Sequence, residues 1–502
     1  MEVKKNMITP SEPGSQRGEG ERFLFGVQDL DKHYSHAIRP GTVILVAGHP
    51  GAGKTTFAAK MCYVNALRGK PCLYVSFNEE RDKFLEWMRG LGFDFTELEN
   101  KGLFKYIKLP VLTEDTLFSD LMDVLVENIH KFKPLIVVID SITPVSEILG
   151  ERGARVRSFL QNFLTNLSRS IQGVIVLVAE IPLSTEYVSL GSAEFVADIV
   201  IIMKHRVEGS RLVRTMELRK VRGVAISVAE IPFAIREGEG IRVFTPPIMR
   251  RSTGPDLSKS IKLGCAVLED VLDHIHPGMS LSYITPPSAR GLGYLLIPFI
   301  GTIMRHRLKV ALISYRLTSA ELRHYFEEFL KRMNMEFVGN SLWRNIVYAE
   351  GVNPTTHSLE EVLHKVLDAL RRKPNVMILH GVENLFIVYG NLQKTYNSLF
   401  NIVQHNKTLG VFTMLLASAV DEQVRNMLSN IADIVVNEVY EATVPTGKLH
   451  PSTYVWASGS VPKILSYEEI LECLEEVKKD RWWGGVTDGK QHSKLNGGRR
   501  SY

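Results

Sequence analysis

At 502 residues, with 45% hydrophobic and 23% charged side chains, the chain is long enough for two or three domains and has the composition of a folded globular protein. Wholesale disorder is excluded. The formal net charge of +5 permits a nucleic-acid partner without requiring one, because no dense Lys/Arg run accompanies it.

Residues 1–22 are polar and rich in Gly, Ser, Pro and charge, so they read as a flexible N-terminal tail without the apolar core of a signal peptide. The first folded unit opens at residue 23. Residues 42–46 form an apolar run that predicts a buried strand, and residues 57–67 predict a helix. Between them stands Gly48-His49-Pro50-Gly51-Ala52-Gly53-Lys54-Thr55-Thr56, which satisfies G-x-x-x-x-G-K-[ST]. The glycines let backbone N–H groups approach phosphate oxygens, Lys54 reaches the β- and γ-phosphates, and Thr55 offers a hydroxyl to Mg²⁺. The stretch therefore predicts a nucleoside triphosphate site.

Further apolar strands are expected at 72–77, 135–139, 174–178 and 199–203, with helical stretches at 82–91 and 156–170 between them. Such alternation predicts an α/β fold with a mostly parallel twisted sheet and helices on both faces. Shorter strands near 215–219, 232–235 and 240–244 extend it antiparallel. Asp140, closing the strand 135–139, is placed to share Mg²⁺ with Thr55. Glu79 and Glu80, after the strand 72–77, are the candidates to activate water, and Glu180 points to the same sheet edge. Lys220 and Arg222 lie two apart, as on one strand face, and could act as cations on a neighbouring subunit's γ-phosphate. Arg152, Arg155 and Arg157 form a basic loop that could meet a phosphate backbone.

Residues 247–260 lose periodicity and read as a linker. Residues 261–470 then repeat the first plan: 281–284 matches 43–46, 310–315 matches 72–77, 376–379 matches 135–139, and 431–436 matches 196–201. In this second copy Gly291 replaces Lys54, Leu292 replaces Thr55 and His380 replaces Asp140. The second copy is expected to keep the fold without phosphoryl chemistry. Residues 471–502 read as a charged tail. Cys62, Cys72, Cys265 and Cys473 have neither a C-x-x-C pair nor zinc-ligand spacing, and read as buried free thiols in a reducing cytoplasm. The longest apolar run, 292–304, falls short of the ~20 residues a bilayer span needs, so no membrane span is expected.

The first copy resembles the KaiC-like ATPases of the RecA superfamily, through residues 48–58, 74–80, 138–141, 194–198, Lys220-Val221-Arg222-Gly223 and 232–235. The tandem arrangement is also KaiC-like. The resemblance implies two RecA-like domains, 23–246 catalytic and 261–470 degenerate. It further implies Mg-ATP bound between subunits of a hexameric ring, a glutamate base after the second strand, and Lys220 and Arg222 acting in trans. Two departures stand out. Asn78 follows Phe77 where the family usually has the Glu-Glu pair directly, which leaves the choice between Glu79 and Glu80 open and suggests slow turnover. The second copy lacks a phosphate loop, so autophosphorylation there is not expected. The resulting expectation is a regulatory or assembly ATPase, a homo-oligomer with a protein client docking through its C-terminal domain. Its rivals are a nucleotide-switched scaffold with little turnover and a recombinase-like ATPase stimulated by nucleic acid.

Overall fold

The computed structural model describes residues 22–110, 116–143, 164, 166–167, 170–181, 192–208, 211–226, 228–245, 258–289, 292–333, 335, 342–442 and 449–479. They fall into two compact units, divided between Thr245 and Pro246. The tail 1–21, the basic loop of Arg152, Arg155 and Arg157, and most of the expected linker lie outside the described residues.

The first unit contains β1 Val43–Gly48, β2 Cys72–Ser76, β3 Phe104–Lys108, β4 Ile136–Asp140, β5 Val174–Glu180, β6 Ile199–Glu208, β7 Arg211–Val221, β8 Glu230–Arg236 and β9 Gly240–Val243. Their order is β3-β2-β4-β5-β1-β6-β7-β8-β9. The strands are parallel from β3 to β6 and antiparallel from β6 to β9. β1 is buried along its whole length because both faces are covered. Ile44 and Val46 join a core with Phe57 and Tyr74, while Val43, Leu45 and Ala47 join another with Leu125 and Leu164. Burying each such aliphatic side chain contributes about 1.5–3 kcal/mol. The effect is a rigid central strand under the phosphate-loop sequence.

The second unit contains β10 Ser280–Thr285, β11 Val310–Ser314, β12 Ile346–Gly351, β13 Val376–His380, β14 Phe412–Ser418, β15 Ile434–Ala442, β16 Leu449–Ala457 and β17 Lys463–Leu465. Their order, β12-β11-β13-β14-β10-β15-β16-β17, repeats the first sheet strand for strand except for its last antiparallel strand. Small polar anchors repeat too. Asp198 accepts from the Val43 N–H at 3.1 Å and Asp433 from the Ser280 N–H at 2.7 Å, each tying the start of the strand that follows it to the central one. Asp31 accepts from the Gly26 N–H and Glu269 from the Gly264 N–H, closing the same turn in both units.

Three expectations need correction. The cysteines are paired: Cys62 with Cys72 and Cys265 with Cys473, at Cα–Cα distances of 5.8 and 4.9 Å, within the reach of a disulfide. A reducing cytoplasm therefore loses its cysteine argument. The charged stretch from residue 471 is no tail at its start, since Tyr467–Lys479 is a helix with Ile470, Cys473, Leu474 and Val477 buried. Those positions recur at helical spacing, and the charges are its outer face. Finally, β3 and β12 were not anticipated. Both are edge strands whose burial alternates, without the continuous apolar run of the central strands. Among the described residues no helix is long and apolar enough to cross a membrane.

Candidate nucleotide site

β1 ends at Gly48, whose backbone passes so close to β6 that an added Cβ would lie 2.0 Å from the Met203 carbonyl oxygen. Only glycine fits. Gly51 and Gly53 take φ of 76° and 100°, the left-handed region that glycine enters without a Cβ penalty. The loop then delivers the chain into the helix Lys54–Leu67, whose unsatisfied first N–H groups and dipole favour an anion. Lys54 is 7% exposed, and its Nζ donates to the His49 carbonyl oxygen at 2.9 Å, so the lysine folds back over its own loop.

Asp140 ends β4 and Glu180 ends β5, the two strands between β2 and β1 in the sheet. Burial lowers the Lys54 ammonium from its ordinary value, while the carboxylates of Glu180 and Asp140 oppose that shift. Burial also raises the Asp140 carboxyl, against hydrogen bonds from the Tyr74 and Thr55 hydroxyls and the charge of Lys54. Lys54, Thr55, Asp140 and Glu180 thus meet at one sheet edge, where ligands of parallel α/β sheets bind. The donor set suits a hard divalent cation: the Thr55 hydroxyl opens the helix after the loop and the Asp140 carboxylate ends β4 at the same edge.

Glu79 and Glu80 lie on the same edge but face lysines. Glu79 pairs with Lys83 at 3.4 Å, and Glu80 pairs with Lys108. Glu80 occupies the N-cap position of the helix Arg81–Gly90 without a side-chain cap bond, so a capping role does not account for its carboxylate. Asn78 is exposed.

Lys220 and Arg222 are elsewhere. β7 runs antiparallel to β6, so Lys220 pairs with Val200 at the amino end of the parallel strands, opposite the phosphate loop. Lys220 Nζ donates to the Glu194 carbonyl at 3.3 Å, and Arg222 pairs with Asp198 at 2.8 Å. They do not approach this chain's own loop.

Sequence reasoning missed two tyrosines. Tyr74 is fully buried and its hydroxyl donates to Asp140 Oδ2 at 2.7 Å. The ring of Tyr106 stacks on it with centroids 5.8 Å apart, and its hydroxyl donates to the Glu79 carbonyl at 2.8 Å. Burial, with the carboxylates of Asp140, Glu79 and Glu80 adding to it, pushes the Tyr106 phenol up to about 12. The stacked pair links the carboxylate of β4 to the segment bearing Glu79. Alternation in β3 was the only available signal for Tyr106. Beside Gly48 and His49 a cleft of about 480 Å³ opens over the paired strands β6 and β7, lined by Lys204, His205, Glu217 and Arg219 among others.

Comparison with known proteins agrees with the fold of the first unit. Residues 24–248 match the family model described as the KaiC ATPase. The circadian clock oscillator protein KaiC of Synechococcus elongatus is 27% identical over 305 residues, covering 57% of this chain and 56% of its own length. The circadian clock protein KaiC3 of Synechocystis is 26% identical over 228 residues, covering 44% and 45%. A UPF0273 protein of Methanopyrus kandleri is 26% identical over 248 residues, covering 47% of this chain and 96% of its own length. The chain thus spans about half the length of the first two of these relatives. With the phosphate loop, the strand order and the matched residues in agreement, the chain carries a KaiC-like ATPase domain of the RecA superfamily in its first unit.

Proposed function

We propose that the chain is an ATP-hydrolysing regulatory or assembly ATPase whose single Mg-ATP site lies on the first unit and is completed by a second copy of the chain. The carrying observation is the convergence of Lys54, Thr55, Asp140 and Glu180 on the phosphate loop, with Lys220 and Arg222 held at the far end of the same sheet. ATP phosphates would rest on the backbone of residues 48–56 and on Lys54, and Thr55 and Asp140 would hold Mg²⁺. The ion, when bound, neutralises developing phosphate charge. Glu79 or Glu80, released from its lysine, would take the proton of the attacking water as the bond from the γ-phosphorus to the bridging oxygen breaks and ADP leaves. The cations at the amino edge of one copy would serve the nucleotide of its neighbour, as a closed ring allows.

A second reading, a nucleotide-switched scaffold with little turnover, is favoured by one specific observation: both candidate bases are ion-paired with lysines. The deciding experiment measures ATP turnover and particle mass together, with and without ATP. Phosphate release with ATP-dependent assembly supports the ATPase. Tight binding and assembly without release supports the scaffold, and unchanged mass with no binding refutes both.

A further inference from the structure

Register places each residue on the carboxyl edge of the second sheet against its counterpart in the first. Gly48 pairs with Glu180 and Ser76 with Asp140, while Thr285 pairs with Ser418 and Ser314 with His380. Thr285 therefore stands for Gly48, Ser418 for Glu180 and His380 for Asp140. Arg316, two residues beyond Ser314, stands for Asn78.

The exposed Asn78 has been exchanged for a cation that reaches across the crevice. Arg316 Nη1 lies 2.5 Å from Ser418 Oγ and 3.4 Å from Glu383 Oε1. Because β13 lies between β11 and β14, this guanidinium passes over the end of β13 to meet β14. Glu383 is 5% exposed and also accepts from the Ser418 N–H at 3.3 Å. His380, 1% exposed, sits 3.0 Å from Ser314 Oγ through its Nδ1. Where the first unit gathers Lys54, Asp140 and Glu180, the second has closed an ion pair of its own, between a solvent-reaching Arg316 and the buried carboxylate of Glu383.

The loop position is filled as well. Thr285 carries a side chain where Gly48 has no room for one, and its hydroxyl donates to the Ala417 carbonyl at 3.3 Å. Ile284 pairs with Asn437 as Ala47 pairs with Ile202, so Glu438 takes the place of Met203. Its carboxylate, 1% exposed, accepts from the Tyr283 hydroxyl at 2.7 Å and from the Tyr294 N–H at 3.1 Å, just before the helix Leu296–Arg305. A backbone donor at the mouth of that helix is spent on an internal anion.

We infer that the second unit is a self-occupied fold: the Arg316–Glu383 pair and Glu438 hold the charges that a bound nucleotide and its cation would otherwise bring, so this unit folds closed and takes no nucleotide. The count of one nucleotide per chain rests on the proposed site of the first unit; the exclusion from the second does not.

Equilibrium dialysis with ATP and with ADP, titrated up to millimolar on the full wild-type chain and held at about three times the wild-type Kd on Lys54→Ala, tests both. The expected result is saturation at one nucleotide per wild-type chain and fewer than about 0.1 per Lys54→Ala chain at that free concentration. Two per wild-type chain, or one per variant chain, overturns the inference. None on either chain overturns the proposed site while agreeing with the inference. Arg316→Met, Glu383→Gln and their combination supply an independent readout. Each single change is expected to lower the thermal transition by several degrees, with ATP giving no more stabilisation than it gives wild type, and the combination to lose less than the sum. Strict additivity, or an ATP stabilisation larger than that of wild type, argues against the internal pair as the occupant.

Discussion

Lys54→Met removes the ammonium of the phosphate loop while keeping an unbranched stem of similar length, and its effect can be worked from the geometry. In the free chain Lys54 Nζ donates to the His49 carbonyl at 2.9 Å. A triphosphate would exchange that neutral acceptor for two charged ones. Bonds to charged groups contribute about 1.5–3 kcal/mol each and a neutral bond about 1, so the net loss on substitution is about 2–5 kcal/mol. That corresponds to roughly 30- to 5000-fold weaker binding. The assay is calorimetric titration with ATP and Mg²⁺ at fixed ionic strength, with thermal unfolding of the free variant followed alongside. The second measurement matters because removing the cation leaves Asp140 and Glu180 as neighbouring carboxylates, and the free variant should be less stable. An affinity within about threefold of wild type, in a variant that is folded, would refute the placement of phosphate on this loop.

Three other predictions address neighbouring features. If Lys220 and Arg222 act across a subunit boundary, Lys54→Ala chains and Lys220→Ala/Arg222→Ala chains are each inactive alone, and an equal mixture regains about a quarter of wild-type turnover through random neighbours; a mixture that stays inactive denies the shared site. Tyr74→Phe deprives Asp140 Oδ2 of its phenol donor, so the Mg²⁺ concentration for half-maximal nucleotide binding should rise several-fold, while affinity at saturating Mg²⁺ is kept; a purely structural tyrosine would lower stability by about 1–2 kcal/mol and leave the Mg²⁺ dependence unmoved. Burial pushes the Asp31 carboxyl up to about 6 from 3.8, despite hydrogen bonds from the backbone of Phe25 and Gly26. Because the folded chain holds this proton more tightly than the unfolded chain, the contribution is complete below about pH 3.8 and is lost as pH rises through about 6, for at most about 3 kcal/mol. Denaturant unfolding of wild type and Asp31→Asn should diverge across that window, and parallel curves would contradict the assignment.

The phosphate loop, Asp140 and the second copy were legible in the sequence because phosphate chemistry and sheet topology demand particular residue types at particular places. Gly48 is fixed by the Met203 carbonyl and Lys54 by its reach. Tyr74 was legible only as a buried strand residue, since nothing in a run of apolar side chains says that one hydroxyl meets a carboxylate 66 positions away. The sulfur pairs were hidden for a similar reason: separations of 10 and 208 residues carry no pattern until the sheet brings the cysteines together. In the helix Tyr467–Lys479 the conspicuous charges drew attention from the four buried positions that place it against the core. The match of 310–315 to 72–77 already sets Arg316 against Asn78, whereas Glu438 stands as an ordinary substitution until register places it where the first copy has Met203.

The bond between Cys265 and Cys473 has a mechanical consequence. It closes 208 residues of chain separation into a covalent ring at the entrance and exit of the second fold. Tension applied along the backbone on either side of that pair would be carried through one sulfur bridge, bypassing the strands between. The second sheet is wired in parallel with a short inextensible link, so the chain can transmit a pull past it while the fold inside stays slack.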